Sequence, residues 1–299
     1  MRLSFESMLP SVSHGWKNMY TQCGLRTCPN TLFMRSVQSR VGINVGPVWY
    51  CGPDCLAAVA TMRFSAFAVN NILEMPHTPR LSIGLVMLSK GYLTDKQLRL
   101  AITESQRSGE ELEAVLSRLG LANERQLTAA RAAQWGYPVL GQEPMRQLSE
   151  LDVPATLLES CSAAPLHCSA AAKRMLLGFV HRVDHSLMNS VEEMTGFRAE
   201  PCFITPTEFA EQRVRLTAVT RCEEVVVNDP QTPAQMGRTV AGLTVEIGAR
   251  EVRFSRCRDY VWTRLTGKRR MIDVLFRFKC EQNSGREKTP VSGKVWSAG

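Results

Sequence analysis

The chain lacks long hydrophobic runs. No stretch of its 299 residues approaches the ~20 consecutive apolar residues of a membrane-spanning helix. Apolar segments such as 64–73 are interrupted by polar residues. The first 18 residues also lack the apolar core of a signal peptide. We therefore expect no integral membrane segment, no secretion, and a cytoplasmic location in which the thiols stay reduced.

Signatures of the common catalytic sites are also missing. The two Gly-Lys pairs, Gly267-Lys268 and Gly293-Lys294, lack the upstream glycine and the following Ser or Thr of the phosphate-binding loop G-x4-G-K-[ST]. The serine-nucleophile motif G-x-S-x-G and the dinucleotide-binding motif G-x-G-x-x-G do not occur either. His181 and His185 have no HExxH glutamate and are predicted to lie on different elements. We therefore expect a protein that is not an enzyme.

Ten cysteines are too few for a disulfide scaffold, but four of them form the pattern C-x4-C-x22-C-x3-C. A zinc ion requires four such ligands in a tetrahedron, commonly supplied by two closely spaced pairs. Gly24 and Gly52 follow the first cysteine of each pair and favour tight turns whose N–H groups face the sulfurs. The pattern predicts a structural zinc module over 19–66; the alternative is four buried cysteines without a metal. The predicted ligands are Cys23, Cys28, Cys51 and Cys55.

The other six cysteines are scattered, and we expect them to be small hydrophobic residues of the core. They are Cys161, Cys168, Cys202, Cys222, Cys257 and Cys280.

The net charge of +8 is uneven, because residues 217–299 contain 15 basic and 9 acidic residues and so carry +6 of it. A basic surface can bind nucleic acid, but the exposed aromatic pattern of RNA-recognition sheets is not evident. The sequence favours a solvated sheet edge, with a surface for nucleic acid or an acidic partner as the alternative. The basic residues concerned are Arg250, Arg253, Arg256, Arg258, Arg264, Lys268, Arg269 and Arg270.

Residues 82–136 contain two copies of one unit at an offset of 29 residues. In each copy a short apolar helix ends at a glycine, and an N-cap with a Gln three residues later begins a second amphipathic helix. Two copies are too few for a solenoid, so the repeat predicts one four-helix domain over 80–145. The matched positions are Gly91 with Gly120, Thr94–Gln97 with Asn123–Gln126, Leu98 with Leu127, and Ala101 with Ala130.

The remaining segments predict an α+β protein. Residues 146–216 alternate between helix and strand signals and predict an α/β subdomain, and 217–280 predict a basic, mixed α/β unit. Residues 281–299 are expected to form a flexible tail. Residues 1–18 are expected to be a disordered or non-native start, because the ordered-looking sequence begins at Met19.

An ordered series of motifs carries a family resemblance. After the doubled repeat comes Gln134-Trp135-Gly136-Tyr137-Pro138-Val139, followed by Val153-Pro154-Ala155, a strand at 174–180 and Glu200-Pro201-Cys202-Phe203. From Arg80 to about Arg215, roughly 45% of the chain, the sequence resembles the N-terminal domain of the assembly ATPases of type II secretion and type IV pili. In that family the domain docks onto an inner-membrane platform protein. The resemblance therefore implies an adaptor or regulator that binds a protein of secretion, pilus or signalling machinery, without the ATPase motor.

In some family members the doubled motif binds cyclic di-GMP, so the resemblance also implies an alternative function as a nucleotide receptor. Here Ser82-Ile83-Gly84 and Glu111-Leu112-Glu113 replace the family's Arg-Leu-Gly, and Glu111 has the wrong sign for a bis-phosphate. Gln106 is one position out of register, about 100° around a helix. The alternative role of these residues is to cap and pack helices. The candidate nucleotide-binding residues are Arg80, Gly84, Gly91, Gln106, Gly120 and Gln134.

Overall fold

The structure, a computed structural model, describes residues 20–33, 42–69, 80–140, 153–219, 223–229 and 231–278. Residues 1–18, Met19, the tail at 281–299, Cys222 and Cys280 lie outside the described residues. The strands are β1 (Tyr20–Gln22), β2 (Thr31–Phe33), β3 (Ile43–Val45), β4 (Val48–Tyr50), β5 (Ala163–Ser169), β6 (Arg174–Phe179), β7 (Arg198–Phe203), β8 (Glu223–Val227), β9 (Glu251–Cys257), β10 (Tyr260–Thr266) and β11 (Met271–Arg277). The helices are α1 (Pro53–Val69), α2 (Ile83–Ser89), α3 (Asp95–Ser108), α4 (Leu112–Arg118), α5 (Glu124–Trp135), α6 (Ala155–Ser160), α7 (His185–Thr195), α8 (Pro206–Val219) and α9 (Pro233–Ile247).

The predicted α+β class is confirmed. Within the described ranges, none of these helices is both long enough and apolar enough to cross a membrane.

The repeat folds into helices α2–α5 around one shared core, which confirms the predicted four-helix domain. Thr94 accepts the N–H of Gln97, whose side chain accepts the N–H of Thr94 in return. Asn123 and Gln126 form the same reciprocal capping box at the start of α5. Each box satisfies two backbone N–H groups with side chains only three residues apart. The starts of α3 and α5 therefore follow from local sequence.

The α/β subdomain contains a three-stranded sheet in the order β5-β6-β7, with β5 antiparallel and β7 parallel to β6. Helix α7 makes the parallel crossover; it begins at Asp184, whose side chain accepts the N–H of Leu187, and ends at Gly196 in the left-handed conformation. The segment after α5 joins this sheet, because Val139 forms a parallel β-bridge with Phe203 of β7. We call the repeat and the subdomain together, residues 80–219, the repeat module.

The predicted zinc segment and the basic C-terminal unit are parts of one sheet, whereas the sequence predicted two separate units. The six-stranded sheet has the order β4-β3-β9-β10-β11-β8. Strand β3 runs parallel to β9, with Asn44 opposite Glu251 and Val45 opposite Val252. A strand of three residues buries too little to be stable alone. Ile43 and Val45 are therefore buried in the core that the C-terminal strands provide.

The two faces of the six-stranded sheet have different partners. In β10, Val261 and Leu265 belong to the core on the side of α1 and α9, and Phe64 of α1 packs edge-on against Phe276 there with ring centroids 5.3 Å apart. Trp262 belongs to the core shared with the subdomain. Since successive strand residues point to opposite faces, the sheet is a central layer between the α1–α9 pair and the repeat module.

Helices α1 and α9 approach each other closely at Gly237. A Cβ atom there would lie 2.5 Å from Thr61 Oγ1 and 2.7 Å from the Ala57 carbonyl oxygen, so Gly237→Ala must force the helices apart. We expect it to lower the free energy of unfolding by about 1–3 kcal/mol, as overpacking does, measured by urea titration.

The matched control is Gly242→Ala on the same helix, where a Cβ would meet nothing within 4 Å. Alanine in an exposed helix interior should raise stability by up to about 1 kcal/mol. Equal effects of the two substitutions would contradict this packing.

Candidate metal centre and repeat surface

Three chain segments bring the four predicted cysteines together. Cys23 follows β1, Cys28 lies in the turn before β2, and Cys51 and Cys55 flank the start of α1. The Sγ atoms of Cys28 and Cys51 are 3.6 Å apart and those of Cys51 and Cys55 are 3.5 Å apart. All four sulfurs lie within 4.8 Å of one another. Zinc–sulfur bonds of about 2.3 Å in a tetrahedron place ligand sulfurs about 3.8 Å apart. The four cysteines could therefore hold one metal ion.

Backbone hydrogen bonds hold the two cysteine loops against each other. The N–H of Gly24 donates to the carbonyl of Trp49 at 2.8 Å, and the N–H of Cys23 donates to the carbonyl of Asn30 at 2.9 Å. The amide of Asn30 in turn donates to the Cys51 sulfur at 3.2 Å. A Cβ at Gly24 would collide with Val48 and Tyr50, so only glycine fits this crossing.

The thiols of the cluster differ in how readily they ionise. Burial would raise the pKa of the Cys23 thiol, but hydrogen bonds from the backbone N–H groups of Leu25 and Cys51 lower it below its ordinary value. Burial and the neighbouring thiols raise the pKa of Cys55. Four thiolates this close repel one another unless a cation balances their charge. With all four sulfurs as ligands, a tetrahedral ion keeps no open position for a substrate.

Of the six candidate nucleotide-binding residues, the structure brings Arg80 and Gln134 together. The Arg80 guanidinium lies 3.3 Å from the centroid of the Trp135 ring, and the Gln134 amide donates to the carbonyl of Leu81. Both contacts join the residues before α2 to the end of α5.

The other four candidates have different surroundings. Gly84 is buried where a Cβ would lie 2.7 Å from Leu98, and Gly91 and Gly120 have φ of 69° and 63° in the turns after α2 and α4. Gln106 is exposed on α3. The three glycines thus serve packing and turns.

Charged residues around Gln106 are already paired. Glu104 accepts a hydrogen bond from Arg107 at 2.8 Å and lies 3.4 Å from Arg118. Hydrogen bonding to Arg107 and then to Arg118 lowers the pKa of Glu104 to about 2. The two guanidiniums thus have an anionic partner within the repeat itself.

The predicted solvated edge is wrong for the basic residues of β9 and β10, because both strands are interior in the six-stranded sheet. Arg264 makes a two-point ion pair with buried Asp273 at 2.8 and 2.7 Å. Arg253 pairs with Glu251 and also donates to the carbonyl of Met194 at 3.0 Å. These contacts leave less positive surface for nucleic acid than the composition suggested.

Sequence reasoning missed two groups of residues. Arg131 stands where the first repeat copy has Ile102; it is buried, and it donates to the Val180 carbonyl at 3.1 Å and to Glu113. That mismatch between the copies was a signal that α5 contacts the subdomain. Cys161 and Cys257 belong to one core, and nothing in their spacing indicated that they share it.

Comparisons with known proteins match less than half of the chain. No protein-family model matches it. The type IV pilus assembly ATPase PilB of Thermus thermophilus is 26% identical over 129 residues, 42% of this chain and 14% of that protein. The chain is thus similar, over these 129 residues, to an N-terminal module of secretion and pilus ATPases. The predicted resemblance is confirmed, and it covers N-terminal domains and not the ATPase motor.

Two solved structures match part of the chain with low structural similarity. A structure of MshE with cdg is 17% identical, covers 46% of this chain and 99% of that chain, and has a TM-score of 0.38. A structure of the N-terminal domain of XpsE is 22% identical, covers 44% and 92%, and has a TM-score of 0.34. The chain spans 14% of the length of its curated relative, so the activity of that whole protein does not transfer to it.

Proposed function

We propose that this protein is a non-enzymatic, cytoplasmic adaptor or regulator whose repeat module binds a protein of secretion, pilus or signalling machinery. The observation that carries the proposal is the sequence similarity to the pilus assembly ATPase, which is confined to an N-terminal module. The absence of a phosphate-binding loop from the sequence supports a role without ATP hydrolysis.

The surface of the repeat supports a role in protein binding. Leu81, just before α2, and Leu85, within it, are 69% and 52% exposed. Exposed apolar side chains of this size can contribute to the buried centre of a protein interface. The neighbouring contacts of Arg80 and Gln134 fix the backbone that presents them.

Crosslinked pull-down of the full chain from cells of its source organism tests this function. We expect recovery of a secretion, pilus or signalling component. Leu85→Ser should reduce recovery about tenfold or more, because burying one leucine contributes about 1.5–3 kcal/mol.

The matched control is Val245→Ser, which changes a 63% exposed apolar residue on α9, outside the repeat module. It should leave recovery unchanged. The proposal is wrong if no such component is recovered, or if both variants capture it equally.

We also infer that the cysteine cluster binds one structural zinc ion. Bound there, zinc would supply a cross-link between the loop after β1 and the start of α1, and the four sulfurs would be its ligands. The burial of Cys23 and Cys55 in the core of the six-stranded sheet supports a structural role.

Metal analysis of the purified protein should give about one zinc per chain. Cys51→Ser should lose the metal and lower the melting temperature, because metal binding contributes directly to folding. Cys168→Ser changes a half-buried cysteine on β5 and should keep the metal. Zinc-free protein, or equal zinc in both variants, would rule this site out.

A second candidate function is a receptor for cyclic di-GMP, and the observation that favours it is the proximity of Arg80 and Gln134. Isothermal calorimetry with the full chain distinguishes the two functions. Heat that is lost in Arg80→Ala would support the receptor. No heat at high micromolar ligand would reject it and leave the glycines of the motif with their roles in packing and turns.

A further inference from the structure

The four cysteines of the cluster differ in their exposure to solvent. Cys23 and Cys55 are buried, with 5% and 9% of their surface exposed, whereas Cys28 and Cys51 are half-buried. The two half-buried residues are also neighbours, because their Sγ atoms lie 3.6 Å apart. A small oxidant that reaches the cluster from solvent therefore meets two adjacent sulfurs that belong to different chain segments.

Hydrogen bonds hold these two sulfurs close to each other. The N–H of Cys28 donates to the carbonyl of Leu25 at 2.9 Å and so closes the turn before β2. The side-chain amide of Asn30, at the end of that turn, donates to the Cys51 sulfur at 3.2 Å. Disulfide sulfurs lie about 2.05 Å apart, so the Cys28 and Cys51 sulfurs must approach each other by about 1.5 Å to form one.

Cys51 has a second close neighbour in Cys55, whose sulfur is 3.5 Å away. Cys55 is buried within α1, so an oxidant from solvent reaches it less readily than it reaches Cys28. A link within the start of α1 would also leave the turn before β2 unconnected. Exposure and proximity together therefore favour the pair of Cys28 and Cys51.

We propose that Cys28 and Cys51 are a site of reversible oxidation by peroxide, and that their disulfide releases the metal ion of the cluster; this rests on the zinc site proposed above. One thiolate attacks a peroxide oxygen, the O–O bond breaks, and a sulfenic acid and hydroxide form. The second thiolate attacks the sulfenic sulfur and expels another hydroxide. Two thiolates, one hydrogen peroxide and two protons thus give one disulfide and two waters, and a dithiol reverses the oxidation.

The disulfide would replace one cross-link by another. Thiolates are the form of cysteine that binds a metal ion, so oxidation of this pair leaves only Cys23 and Cys55 as ligands. Cys28 lies before β2 and Cys51 before α1, and the disulfide therefore joins two of the segments that the metal would join. The oxidised protein loses its metal but keeps a covalent connection between these segments.

Zinc release and peptide mapping of the full-length wild-type protein test the proposal. The zinc-loaded protein is treated with hydrogen peroxide beside a chromogenic zinc chelator, and an untreated sample measures any zinc that the chelator removes alone. We expect peroxide to release about one zinc per chain and the non-reduced digest to contain Cys28 joined to Cys51. Dithiothreitol followed by zinc should restore both the thiols and the bound metal.

The matched control is Cys168→Ser, which removes a half-buried cysteine outside the cluster and should behave as the wild type does. Protein that is purified without zinc would overturn the zinc site and this proposal together. Bound zinc that peroxide does not release, or release without a link between Cys28 and Cys51, would overturn the oxidation site and leave the zinc site standing.

Thermal melting tests the retained connection. The oxidised, metal-free wild type should melt several degrees above reduced protein whose zinc a chelator has removed, because the disulfide closes a loop between residues 23 positions apart and so restricts the unfolded chain. Equal melting temperatures of these two metal-free forms would overturn the claim that the disulfide maintains the connection.

Discussion

Two residues of β3 pair in parallel with β9, Asn44 with Glu251 and Val45 with Val252, and this short ladder attaches the cysteine cluster to the rest of the molecule. The N–H of Asn44 also donates to the carbonyl of Arg250 at 2.7 Å, just before β9 begins. Strands of three residues are not stable alone. The hairpin of β3 and β4 and the metal site beside it therefore depend on strands that lie about 200 residues later in the sequence.

The six-stranded sheet in turn positions the repeat module through polar contacts on its second face. Glu224 of β8 accepts the N–H groups of Ala155 and Thr156, the first residues of α6, at 2.9 and 3.3 Å. The hydroxyl of Ser255 on β9 donates to Glu193 of α7 at 2.7 Å. These directional bonds fix the orientation of the subdomain. Arg131 of α5 joins the four-helix repeat to the subdomain by its hydrogen bond to the Val180 carbonyl. Leu81 and Leu85, at and just before the start of α2, therefore lie on a unit whose position the sheet determines.

Features that depend on adjacent residues were predictable from the sequence. The structure confirms the capping boxes at Thr94 and Asn123 and the start of α7 at Asp184. It also brings together the four cysteines that their spacing grouped. A few neighbouring side chains determine each of these features. The join of β3 to β9 was not predictable, since its partners are distant in sequence. For the same reason composition could not show that Arg264 is buried against Asp273, or that Cys161 and Cys257 share one core.

We propose that a metal held by the four cysteines stabilises the β3–β9 junction, while the repeat module keeps its own local stability. Amide hydrogen exchange of the full chain, with and without a zinc chelator, measures both regions at once. We expect faster exchange in β3, β4, α1 and β9 after metal removal, with unchanged protection in α3 and α5. Unchanged exchange at β3 and β9, or an equal rise in α3 and α5, would contradict it.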